Sequence, residues 1–98
     1  MTYPYSNEEI TEIANEIAEL FFGFATKSGQ DDGWRLIDWY SNPQIMWEPF
    51  CIYAEKYSSI TKDRGMLKEM LSREQIAIVT SAIKKAMIRA SDVLRNRS

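Results

Sequence analysis

The 98-residue chain has no histidine and a single cysteine, Cys51. The missing histidine removes the commonest general base, the commonest metal ligand and every nucleophile that histidine activates. One cysteine cannot close an internal disulfide and offers no metal-type spacing, which fits a reducing, cytoplasmic setting. Cys51 stands in FCIYA among apolar neighbours, where a thiol is expected to be a small inert hydrophobe. No glycine-rich loop precedes a helix, so no phosphate cradle is expected. DDG at 31–33 resembles a fragment of a calcium loop, but the other ligand positions are missing. The most apolar short run, LFFGFA at 20–25, is far too short to cross a membrane. MTYPYSNEEI lacks a basic stretch followed by an apolar one, so no targeting signal is expected. Asp38 and Glu48, two acids in an aromatic setting, are the one catalytic option left. The reading is therefore a non-enzyme with no cofactor and no metal.

Hydrophobic residues make up 45% of the chain and charged residues 27%, which suits one soluble globular domain over residues 1–98. Nothing alternates with period two for long enough to predict a strand. The apolar period is helical. Ser6 with Glu9 forms an S-x-x-E capping box that opens the first helix. Ile10, Ile13, Ala14, Ile17, Phe21 and Phe24 then share an arc of roughly 100°. TKSG ends this helix, with Gly29 available for a left-handed cap. Ser72 with Gln75 forms a second box that opens the last helix. Its apolar residues, Ile76, Val79, Ile83, Met87, Ala90 and Leu94, fall within about 80° of one another. The last four residues, RNRS, follow the final apolar anchor and are expected to fray.

Between the long helices the sequence predicts two or three short ones. Asp31 or Asp32 can cap WRLIDWY, a segment with so little polar circumference that it is either enclosed or offers a face. Asn42 can cap the next helix, with Pro43 at its first position. Pro49 should then force a kink or a fresh start, because it removes a hydrogen bond and clashes with the Ile45 carbonyl. SSIT breaks the chain again, and a short helix weakened by Gly65 is expected from about Lys62 to Leu71. The fold class is all-α: a small bundle of two long helices, first and last, with short helices between.

Residues 31–50 hold all three tryptophans. Trp39 and Phe50 are expected to fill the core, whereas Trp34 and Trp47, beside loops and prolines, are candidates for an exposed contact edge. Charge is more telling. Residues 1–49 carry two cations against nine carboxylates, a net of −7, and residues 50–98 carry ten against five, a net of +5. On the first helix Glu8, Glu12, Glu16 and Glu19 lie with Glu9 opposite the apolar arc, unmixed with lysine or arginine. Like charges four apart cost a few tenths of a kcal/mol each. On the last helix Lys84, Lys85 and Arg89 line the outer side, with Ile78 and Ile88 among them and Arg95 and Arg97 beyond. The two outer faces should point away from each other within one chain.

These features predict a non-catalytic protein-interaction module: an adaptor, a small subunit of an assembly, or an inhibitor that occupies a basic partner surface. Glu8, Glu12, Glu16, Glu19, Trp34 and Trp47 are the candidate contact residues. A homodimer is expected, with the acidic face of one copy on the basic face of the other. The alternative is a small nucleic-acid-associated subunit that binds phosphate through Lys84, Lys85, Arg89, Arg95 and Arg97. No membrane partner is expected.

Overall fold

A computed structural model describes residues 3–97. Among these the chain forms α1 (Asn7–Lys27), α2 (Gln30–Ser41), α3 (Pro43–Tyr57), one 3-10 turn over Lys68–Met70, and α4 (Arg73–Arg97), with no strand. Both long helices start at the expected capping boxes. Ser6 Oγ accepts the Glu9 amide at 3.1 Å while the Glu9 carboxylate accepts the Ser6 amide at 3.0 Å. Ser72 and Gln75 repeat the pair at 3.1 and 3.0 Å. The apolar arcs face each other. Ile10, Ile13, Ile17 and Phe21 of α1 and Val79, Ile83, Met87 and Leu94 of α4 are all buried. Burial of each such side chain is worth about 1.5–3 kcal/mol.

The direction of this pairing follows from the polar contacts at its edges. Gln75 donates to the Tyr5 carbonyl at 2.7 Å and to Asn7 Oδ1 at 3.1 Å. Arg89 pairs with Glu19 at 2.7 Å, and Arg97 donates to the Thr26 carbonyl. Down the pair, the partners from Asn7–Gln75 to Thr26–Arg97 differ in number by 68, 70 and 71, so α1 and α4 run parallel. A parallel pair needs a connection that returns the chain the whole length of the first helix. Here α2 makes the first stage: Gln30 Nε2 holds the Leu94 carbonyl at 3.1 Å, and Tyr40 then stacks on Phe21 with ring centroids 3.9 Å apart. α3 and the turns that follow complete the return to the start of α4. The body is elongated, 49 × 22 × 20 Å.

Several local expectations are corrected. α3 runs through Pro49 without a break. One hydrogen bond is lost there, but Met46, Trp47 and Phe50, Ala54 are buried on either side of the proline, and that packing keeps the helix in register. Asn42 and Pro43 do start α3 as expected, with Asn42 Oδ1 accepting the Gln44 amide at 3.0 Å. The expected helix over Lys62–Leu71 shrinks to the single 3-10 turn, because Gly65 takes φ +72, which no right-handed helix includes. Gly29 is not a left-handed cap. Its φ is −60, and it serves as the N-cap of α2, which places Asp31 and Asp32 inside the first turn rather than at the cap. The expected fraying does not reach Arg95–Arg97, which are helical and tied to α1 through Arg97. Ser98 lies outside the described residues.

Candidate functional site

Five glutamates point outward from α1, but they are not alike. Arg64 reaches back from the turn after α3 to pair with Glu9, and its guanidinium holds that carboxyl below the usual carboxylate range, helped by the Ser6 amide. Arg89 pairs with Glu19 and lies 4.5 Å from the centre of the Phe22 ring. Glu8, Glu12 and Glu16 are exposed and, among the described residues, have no ion pair. The outer faces of α1 and α4 therefore do not fully diverge. Parallel alignment brings their charges side by side, and one pair, Glu19 with Arg89, closes within the chain.

The cations of α4 divide in the same way. Arg89 is engaged with Glu19. Arg95 pairs with Asp92 at 3.8 Å and lies 6.0 Å from the centre of the Trp34 ring. Arg97 holds the end of α1. Lys84 and Lys85 are exposed and make no ion pair among the described residues. Between the two helices lies a groove of about 430 Å³, lined by Thr11 and Asn15 from α1 and by Ile78, Ser81, Ala82 and Lys85 from α4, among others. Beside it Ile88 is 62% exposed.

The tryptophans are placed differently from the expectation. Trp47 is only 7% exposed, edge-on to Phe50 at 5.5 Å, with the Lys68 amine over its ring. Trp39, expected in the core, is 46% exposed, and Trp34 is half-buried. The aromatic edge is thus Trp39 with part of Trp34, not Trp47. For Trp47 the reason is rotational phase. Pro49 does not reset α3, so Trp47 falls on the same inward face as Met46, Phe50 and Ala54. Asp38 and Glu48 are both exposed rather than enclosed among aromatics.

A second groove, about 480 Å³, was not foreseen. It lies between α3 and residues 66–69, with Trp47, Cys51 and Met66 among its lining and Ile52 and Leu67 exposed at its edge. Ile45 and Ile52, seven residues apart and both exposed, are the sequence signal that could have revealed an outward apolar stripe on α3. Burial, and then the Glu55 and Glu69 carboxylates, push the Cys51 thiol up to about 11. A thiol that resists ionisation is a poor nucleophile. Among the described residues there is no group of three or more potential metal ligands, and no helix long and apolar enough to cross a membrane. Comparison with known proteins returns no match: no family model, no curated protein and no solved structure.

Proposed function

We propose that the chain is a small, non-catalytic protein-interaction module of the cytosol that presents the α1 carboxylates to a basic surface, as an adaptor, an assembly subunit or an inhibitor. The observation that carries this reading is the selective pairing on α1. The chain supplies cations to Glu9 and Glu19, and among the described residues it leaves Glu8, Glu12 and Glu16 exposed in a row without one. Like charges one helical turn apart repel, so a partner that brings lysine or arginine relieves a cost already present in the free chain. Trp39, with the visible part of Trp34, adds an apolar contact of the kind enriched at interface hot spots. A second copy of the chain carries a basic surface of its own on α4.

Phosphate binding by α4 has less in its favour, because Arg89, Arg95 and Arg97 already have partners within the chain. Capture from a host lysate tests the main reading, with the wild type compared with a Glu8→Lys/Glu12→Lys/Glu16→Lys variant. A protein held by the wild type and released by the variant supports it. Equal capture by both overturns it. A gel shift with a steep salt slope, lost in Lys84→Glu/Lys85→Glu, would move the function to nucleic acid.

A further inference from the structure

We infer that the basic surface recognised by α1 belongs to a second copy, in a two-fold dimer whose axis runs parallel to the long helices and sets Glu12 and Glu16 of each chain against Lys84 and Lys85 of the other. This rests on the docking reading above and names its partner. Register sets this pairing. Across the α1–α4 pair, residues at the same height differ in number by about 70. Lys84 and Lys85 therefore stand level with residues 14 and 15, between Glu12 and Glu16. Rotation about an axis parallel to the helices leaves every height unchanged. It lays α1 of one copy along α4 of the other, with the lysines within about two residues of the glutamates, or about 3 Å of helical rise. A two-fold axis perpendicular to the helices would instead set α1 on α1, acid against acid.

The chemistry of the face agrees. The groove between the helices is lined by short side chains such as Thr11, Asn15, Ser81 and Ala82, which let two backbones approach. Ile88 is exposed beside the lysines and has an apolar place to go only when another surface covers it. The four facing groups are exposed and have no ion pair among the described residues, as is true of Glu8 and Glu74 toward the start of the face. The face from Glu74 to Arg89 is about 23 Å long and two helices wide, so each copy would cover about 500 Å². Two such faces lie at the low end of specific interfaces, which predicts a weak, salt-sensitive dimer rather than a permanent one.

Sedimentation or light scattering from about 10 to 500 µM, at low and high salt, reads the association directly. The expected result is a monomer–dimer equilibrium that weakens with salt, and that weakens at least about tenfold in either Glu12→Lys/Glu16→Lys or Lys84→Glu/Lys85→Glu. The two variants mixed should form a dimer, because the acidic helices of one then meet the basic helices of the other on both sides of the axis. Circular dichroism of each variant confirms the fold. A chain monomeric throughout, a dimer indifferent to both variants, or variants that do not pair when mixed overturns the inference. A monomer that still captures a protein through Glu8, Glu12 and Glu16 loses only the second copy. A monomer that captures nothing loses the docking reading as well.

Discussion

Gly33 sits where α2 crosses the seam between α1 and α4. A methyl group built on it would lie 2.6 Å from the Ala25 carbonyl oxygen and 2.8 Å from a Leu94 methyl. Leu94 can rotate, but the carbonyl is part of the α1 backbone and cannot. Ordinary contact begins at 3.4 Å, so Gly33→Ala must push α2 away by up to 0.8 Å. Overpacking of this kind costs about 1–3 kcal/mol. Against it stands the helical preference of alanine over glycine, up to about 1 kcal/mol. The close approach should win, with a net loss of about 1 kcal/mol or more and a fall in Tm of at least about 4 °C. Gly23 is the internal control. It also lies within a helix, but a methyl there meets nothing within 4 Å. Gly23→Ala should therefore raise the Tm by a few degrees, for about 0.5–1 kcal/mol. Thermal melts of the two variants should move in opposite directions. If Gly33→Ala melts at or above the wild type, the placement of α2 on the seam is refuted.

Ile17→Ala and Ile83→Ala, at two fully buried positions on facing helices, should each cost about 2–5 kcal/mol in denaturant unfolding. The Cys51 thiol, half-buried in the groove wall, should titrate near pH 11 and react slowly with alkylating reagents at pH 8, and rapid modification in the folded state would contradict the raised pKa. Glu9 has its folded carboxyl pKa depressed by Arg64, so the stability from this pair is present above the unfolded pKa and lost as pH falls through the folded one. In Arg64→Gln the Glu9 titration followed by NMR should move upward, and the stability difference from the wild type should narrow in acid.

What the sequence made legible is local. Each capping box spans four residues, and its two hydrogen bonds depend on nothing further away. The inward arcs of α1 and α4 are likewise set by periodicity alone. The relative direction of those helices is not, because it is decided by contacts such as Gln75 with Tyr5, 70 residues apart. The pairings of Glu19 with Arg89 and Thr26 with Arg97 depend on that direction, so they were equally hidden. Trp47 falls inward because α3 runs through Pro49 in one phase with Phe50 and Ala54, whereas the exposure of Trp39 depends on how α2 packs on the long helices, which local spacing does not give. The groove at residues 66–69 forms where Glu55 accepts the Met66 amide at 2.7 Å, a closure that no spacing in the sequence announces.

The parallel pairing has a consequence in time. During synthesis α1 is made first, yet the helix that covers it does not begin until Arg73. At about 5–20 residues per second, the 46 residues from Lys27 to Arg73 take roughly 2–9 s. Through that interval Ile10, Ile13, Ile17 and Phe21 have no α4 to lie against. Closure over so long a stretch of chain also slows folding compared with a bundle whose neighbours in sequence are neighbours in space. A nascent chain arrested before Arg73 should therefore be degraded readily by protease and should bind hydrophobic dyes. The completed chain should acquire resistance in one late step, as its first helix is finished by its last.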